Sequence, residues 1–496
     1  MVKFIKTFAL KEVEMYKKKN KEQLEFENFY LPFGGKLRSD NRWIILSKLI
    51  PWDEIEDHYS KSFSGLGLGA PAKSVRVALG SLIIKEKCGY TDRETVEQIM
   101  ENPYLQYFIG LEEYQEEPVF DPSMMVHFRK RFNKEILAEI NEKVALKGIK
   151  EKEEKRKKER KNKESNKKDD GNDKSNKGKL IVDATCTPAD IRFPTDVSLL
   201  NEAREKTEMI IDKLYEKVKG KIKKPRTYRK KARKDFLKVV KNRNTAYKEL
   251  RKGIGKQLRY VNRNLGHINK LSEIVSLKIL KKKEYKNLLV IKELYRQQKD
   301  MYYNKVHSVP NRIVSITQPH VRPIVRGKAS GRTEFGAKIL LSVKDGFVFL
   351  DNLNWENYNE SNDLKDQIES YNRRFGCYPE SIHADKIYRN KKNYKYCKER
   401  DIRLSGIQLG RPKKEYKTKK LKKIEYEDMV YRIIVEGKIG VSKRGFSLNR
   451  VMAKLDITSE TVIGVVLLLM NLEKRLLNIF LHFILVYFKN KIFVFM

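Results

Sequence analysis

The chain has 496 residues, of which 40% are hydrophobic, so buried cores and about two to four domains are expected. It carries 107 Lys and Arg against 65 Asp and Glu, a formal charge of +42. One-sided charge on that scale exceeds what solubility needs and implies a polyanionic partner; its spread over most of the sequence favours nucleic acid over membrane. The four cysteines, Cys88, Cys186, Cys377 and Cys397, lie far apart with no Cys-x-x-Cys. That argues against a zinc site and a disulfide framework and suits a reducing cytoplasm. The segment Met1-Val2-Lys3-Phe4-Ile5-Lys6 lacks the long apolar core of a signal peptide.

Residues 1–40 are mixed, with a break at Phe33-Gly34-Gly35-Lys36. From Asn41 to about Phe132 the pattern predicts short amphipathic helices. Trp43, Leu46, Leu49 and Ile50 follow helical spacing, as do Val75, Leu79, Leu82 and Ile83. Gly89 stops the second of these, and Thr91-Asp92-Arg93-Glu94 reads as a capping box for the next. Asn102-Pro103 starts a further helix. Asp121-Pro122-Ser123 opens a basic one containing His127, Arg129, Lys130 and Arg131. Compact helices ending on a basic one suggest a helix-turn-helix-like DNA-binding domain over 1–150, with Arg129, Lys130 and Arg131 facing DNA. A plain helical bundle is the alternative.

Residues 151–179 are almost entirely Lys, Glu, Arg, Asn, Asp, Ser and Gly, which predicts a charged helix tail fading into a disordered linker. Leu180-Ile181-Val182-Asp183 then reads as a first buried strand ending in an acid. Residues 196–305 form a basic helical insertion, with Leu258, Val261, Leu265, Ile268 and Leu271 at spacings of 3 and 4. Its block Lys223-Lys224-Pro225-Arg226-Thr227-Tyr228-Arg229-Lys230-Lys231 suits DNA contact; a solvated helical hairpin is the alternative. Strands resume at Asn311–Ile316. Thr333–Val343 and Phe347–Leu350 flank Lys344-Asp345-Gly346, a hairpin signal. Trp355 follows, either a core residue or a stacking platform for a flipped base.

A helix is predicted over Ser361–Arg374, then a short strand, Tyr378 to Asp385, that also ends in an acid. His383 precedes that acid, as a structural residue or a support for the site. A helix with Tyr394 and Cys397 and a short strand, Ile402–Leu404, come next. Gly410-Arg411-Pro412 and a lysine run, Lys413 to Lys423, precede a late helix. There Arg432, Glu436 and Lys443 share one stripe, with Ile433, Ile434 and Ile439 available for packing. An exposed salt-bridged helix is the alternative for that stretch alone. The order of elements predicts a three-layer α/β domain with a mixed sheet, Asp183 and Asp385 at neighbouring strand ends and the Glu436 helix over them. After Lys474 the tail is nearly unbroken apolar from Leu476 to Phe488, too short for an ordinary membrane span. It reads as a core helix plus a strand, or as a helix with a read-through extension.

These residues resemble the DDE transposases of bacterial insertion sequences, and most closely the insertion-sequence-1182 group of the insertion-sequence-five superfamily. The first acid corresponds to Asp183 in Ile181-Val182-Asp183-Ala184-Thr185, the second to Asp385 in Ala384-Asp385-Lys386-Ile387-Tyr388-Arg389-Asn390, and the third to Glu436 in Val435-Glu436-Gly437-Lys438. Arg432, Glu436 and Lys443 match the signature Tyr-x2-Arg-x3-Glu-x6-Lys. Met429 stands at its tyrosine, with Tyr431 two residues on. The resemblance implies a ribonuclease-H-like catalytic domain over 180–475, carrying the insertion 196–305, and leaves 476–496 as an apolar tail. It implies that Asp183, Asp385 and Glu436 are catalytic and hold two Mg²⁺ ions about 4 Å apart, with Mn²⁺ as a substitute. One ion would activate water or a DNA 3′-hydroxyl and the other would stabilise the leaving oxygen. Arg432, Lys443, Lys438, Lys386 and Arg389 would touch phosphate. The partners implied are the element's terminal inverted repeats and target DNA, bound by a homodimer in the cytoplasm at the nucleoid, with no membrane. A catalytically silent DNA-binding protein from a decayed element and a nuclease of the same fold are the alternatives.

Overall fold

Capping chemistry sets the boundaries of the N-terminal helices in the computed structural model. It describes residues 16, 25–32, 34–63, 71–161, 176–242, 244, 246–328, 331–406 and 419–494, with 26, 159–161, 326–328, 331–332, 419–421 and 482–494 by backbone only. Asn41 caps α1 (Arg42–Leu49) by accepting from the Trp43 N–H. After α2 (Trp52–Ser60), Ser74 caps α3 (Val75–Cys88), which Gly89 closes in the left-handed region. Thr91 accepts from the Glu94 N–H at the start of α4 (Asp92–Glu101). Asn102, followed by proline at the first helical position, opens α5 (Pro103–Phe108). α6 (Met124–Arg131) and α7 (Lys134–Lys161) complete the series. The charged segment is thus helical as far as Lys161, and residues 162–175 lie outside the described set.

The described residues fall into two compact units. The first comprises Met1–Thr185, Ile339–Leu353 and Asn359–Met496, the second Cys186–Lys338 and Asn354–Tyr358. A boundary in the charged segment does not separate them, because the core of the N-terminal helices is completed from the far end of the chain. Trp43, Leu46, Leu79, Phe108, Phe128 and Leu137 pack with Val465, Leu468, Leu469, Leu472 and Leu476. The latter lie on α15, Asp456–Val494, a continuous helix where a terminal strand was one expectation.

Among the described residues, six strands pair in the order β2-β3-β1-β5-β6, with β4 against β3. They are β1 (Lys179–Pro188), β2 (Arg322–Lys328), β3 (Gly331–Lys344), β4 (Phe347–Asn354), β5 (Ser381–His383) and β6 (Arg403–Leu404). β1 and β5 run parallel with Ile181 opposite His383, and β5 and β6 run parallel with Ser381 opposite Arg403. β2 and β3 are antiparallel. The β3–β4 turn has both central residues at positive φ, 53° at Asp345 and 87° at Gly346, as the Asp-Gly signal requires. In the first unit, α12 (Leu364–Phe375) and α13 (Lys391–Lys398) pack on the apolar side chains of β1 and β5.

The expected strand at Asn311–Ile316 is absent; that segment is irregular. Its apolar side chains, Ile313 and Ile316, enter the helical core of the second unit. The Ile313 N–H donates to the Gln297 side chain at 2.9 Å, so a helix side chain takes the place of a strand neighbour. The insertion itself is helical as expected: α8 (Asp196–Glu216), α9 (Arg229–Val240), α10 (Tyr247–Ile274) and α11 (Lys282–Asn304).

Candidate active site

The late helix, α14 (Lys419–Gly445), is fixed to the sheet of the first unit by one face. Asp428 is buried and accepts both guanidinium bonds of Arg403 on β6, each at 2.7 Å. One turn on, Tyr431 packs against His383 of β5, ring centroids 5.0 Å apart, and Lys179 of β1 lies 3.7 Å over the same tyrosine ring. Val435 and Ser442 continue the buried stripe. The spacing 428, 431, 435, 442 is that of a helix with one inward face. Ile433 and Ile434, expected to pack, point out instead and are 56% and 38% exposed.

His383 is fully buried, and burial pushes its imidazole down to about 4, with Arg403 and Lys179 adding to the depression and Asp428 opposing it. It is therefore neutral near pH 7. Its ring nitrogen Nε2 bonds the Ser381 hydroxyl at 3.0 Å. Nδ1 lies 3.4 Å from Asp428 but without hydrogen-bond geometry, because that carboxylate is turned to Arg403.

This anchoring carries Arg432 and Glu436 to the end of β5. Asp385 stands two residues beyond β5 and caps a single 3-10 turn, Lys386–Tyr388, accepting the Lys386 N–H at 2.6 Å. Arg432 Nη2 lies 3.3 Å from Asp385 Oδ1 and 3.6 Å from Glu436 Oε1. One guanidinium thus joins the second and third acids. Asp183 is not at a strand end as expected, since β1 runs on to Pro188. It is, however, two residues past Ile181, as Asp385 is two past His383, and those two residues are register partners. Asp183 is also the partly exposed break in a buried strand, with Oδ1 accepting the Ala184 N–H at 2.8 Å.

The other residues singled out from the sequence scatter. Lys386 is exposed beside Asp385. Arg389 lies over Gly406, where a Cβ would come within 2.0 Å of its guanidinium and where φ is +95°. Lys443 is on α14, seven residues past Glu436 and so about 10 Å along the helix. Lys438 faces away from the acids, toward Lys474 on α15; burial, then that like charge, pushes its amine down to about 8. Arg129 is buried and forks onto Asp92, so its charge is spent inside the N-terminal core. Lys130 is exposed. Arg131 donates to the Ser62 carbonyl at 3.0 Å and lies 3.6 Å over Phe63. Trp355 meets His320 edge-on at 4.4 Å. Glycine and proline at 410–412 and most of the lysine run lie outside the described residues.

Carboxylate oxygens are the hard donors that magnesium prefers. Asp385 and Glu436 already share a cationic nitrogen, and their side chains are 55% and 59% exposed. In donor type, access and charge the acids fit a divalent ion. Among the described residues, though, no group of three ligands is gathered tightly enough to hold one. Nor is any described helix long and apolar enough to cross a membrane.

Comparison with known families gives two matches. A transposase DDE domain matches residues 382–473, a span that contains Asp385 and Glu436. A second transposase domain matches residues 32–131, which hold α1 to α6. Asp183 lies in neither span. An uncharacterized protein, ORF8 in the nfe locus of Rhizobium meliloti, is 33% identical over 97 residues, 20% of this chain and 46% of that protein. The chain thus spans under half of that relative's length. No solved structure matches. The two matched domains together support a DDE transposase of an insertion element.

Proposed function

We propose that the chain is a transposase of the insertion-sequence-1182 group that cuts DNA at its element's ends and joins the 3′-ends to target DNA. The observation that carries this is the register of the first two acids on parallel β1 and β5, with Arg432 drawing Glu436 to Asp385. Asp183, Asp385 and Glu436 would hold magnesium, or manganese in its place. When bound, the metal supplies Lewis-acid activation of phosphate and oxygen nucleophile. The protein's own part is to present the three acids on a ribonuclease-H-like sheet, keep α14 docked through Asp428, and hold phosphate with Lys386 and Lys443.

DNA is the natural polyanion for the rest of the charge. Lys230, Lys231, Arg233, Lys234 and Lys238 are exposed on α9. The acid in their midst, Asp235, is engaged by Lys256 at 2.6 Å and by the Tyr260 hydroxyl at 2.9 Å. The face is therefore left positive for phosphate. A homodimer would bring two such sites to two element ends.

The test is direct. Asp183→Asn, Asp385→Asn and Glu436→Gln should each lower Mg²⁺-dependent end cleavage and strand transfer by on the order of a thousandfold. Gel-shift affinity for end DNA should stay unchanged. Cleavage at the wild-type rate by Asp385→Asn or Glu436→Gln would show the assigned site to be wrong. Cleavage without strand transfer in the wild type would favour a nuclease, and binding without either a silent protein.

A further inference from the structure

Away from the acids, a cavity of about 580 Å³ collects cations in the first unit. It is lined by His58 of α2, Lys61 just beyond it, His127, Lys130 and Arg131 of α6, and Asn133 ahead of α7. No aspartate or glutamate is among its lining residues. His58 Nε2 lies 3.5 Å from Glu139, an acid shared with Lys143, which also holds Glu54. Lys61, His127 and Lys130 are exposed and form no ion pair among the described residues. Asn133 caps α7 by accepting the Ile136 N–H at 2.8 Å. The positive end of a 28-residue helix adds to the same field, offset in part by Glu135 in its first turn.

The chemistry of the lining limits what it can recognise. The planar forks that fix a base edge are arginine on guanine and an amide on adenine; lysine also meets guanine, but as a point charge on a flexible stem it serves phosphate equally well. Here Arg129 is turned inward onto Asp92. Arg131 is committed to the Ser62 carbonyl and the Phe63 ring. The Asn133 oxygen is used by the cap. What remains uncommitted is the charge of Lys61 and Lys130 and the imidazole of His127, with His58 held beside Glu139. These groups suit phosphate oxygens, which position a duplex without reading it.

We infer that this groove seats the sugar–phosphate backbone of duplex DNA and that α6 is a backbone clamp, not a reader of base sequence. The identity of the polyanion as DNA rests on the transposase reading; the groove's preference for phosphate rests on its own lining.

The experiment uses the full chain and fluorescence anisotropy on two duplexes of unrelated sequence across a salt series. Lys61→Glu with Lys130→Glu is compared with Lys147→Glu and Lys150→Glu, an equally exposed pair on α7 outside the lining. Thermal melts check that both doubles fold. The groove pair should weaken binding to both duplexes alike by about tenfold or more and flatten the salt slope by about 2, the control pair changing affinity by less than about twofold. Equal losses in the two doubles would overturn the inference, as would a loss confined to one duplex. Calorimetric binding of tripolyphosphate that DNA does not displace would make it a small-anion site and overturn it as well. Asp385→Asn serves as the separate control. If it still cuts, the catalytic assignment fails while the groove result stands; if only the groove double keeps full affinity, the reverse holds.

Discussion

Removing the Arg403 guanidinium would strand the Asp428 carboxylate, which is 5% exposed, against the sheet. Arg403→Met should therefore cost about 1–3 kcal/mol in chemical denaturation, the penalty of a buried charge losing its hydrogen-bond partner. Because Asp428 anchors the helix that carries Glu436, cleavage should fall as well, with end binding kept. A variant with wild-type stability and rate would show that this pair does not place the third acid. The sequence makes the local part of this site legible. Arg432, Glu436 and Lys443 recur along one helix, and a stripe of that kind is written in neighbouring letters. Asp428 was missed because its partners, Arg403 and His383, lie on strands distant in sequence and leave no periodic trace. The only signal was an acid one turn ahead of Arg432, on the same stripe. The same blindness sent Ile433 and Ile434 inward, since nothing local says which side of α14 meets the sheet.

Elements show where local chemistry suffices and where it does not. The β3–β4 hairpin was readable because Asp-Gly selects the turn by itself; Gly346→Ala should cost about 1–2 kcal/mol, since φ is +87° there. What holds the far side of β4 was not readable. The Val348 N–H donates to Asn471 Oδ1 at 2.9 Å, and its carbonyl accepts from Asn471 and Asn141 at 2.8 and 2.9 Å. Two buried asparagines, one on α7 and one on α15, thus do for this residue what another strand would do. Asn471→Leu should orphan the Val348 N–H and one Asn141 lone pair at a cost of about 2–4 kcal/mol, measured by urea unfolding. A loss under about 0.5 kcal/mol would mean that the asparagine bridge contributes nothing net. The strand expected at Asn311–Ile316 failed for the converse reason. A β-rich run needs a neighbouring strand, and Gln297 had already met its backbone. The strand that does pair, β2, contains Pro323 and Gly327 and carries a weak local signal.

At the scale of the molecule, composition pointed to a polyanionic partner and marked the basic insertion and the charged segment, but not that α1 and α15 share one core. Leu476 is 4% exposed within that core, and Ile479 and Phe480 pack against it. Deleting residues 485–496 should leave metal-dependent cleavage intact, whereas deleting 476–496 should lower the melting temperature and the yield of folded protein. Equal behaviour of the two truncations, followed by circular dichroism and a cleavage assay, would contradict this. The shared core also sets a timetable for synthesis. The second unit is complete once Tyr358 has emerged, so it can fold while the ribosome is still at work. The N-terminal helices have no such freedom. Their apolar surface, finished at Val144, waits for Leu476, a delay of roughly 20–70 s at ordinary elongation rates. Through that interval the nascent chain must carry an unclosed hydrophobic face, which makes it a client for holding chaperones and leaves prematurely terminated chains with an N-terminal region unable to close its core.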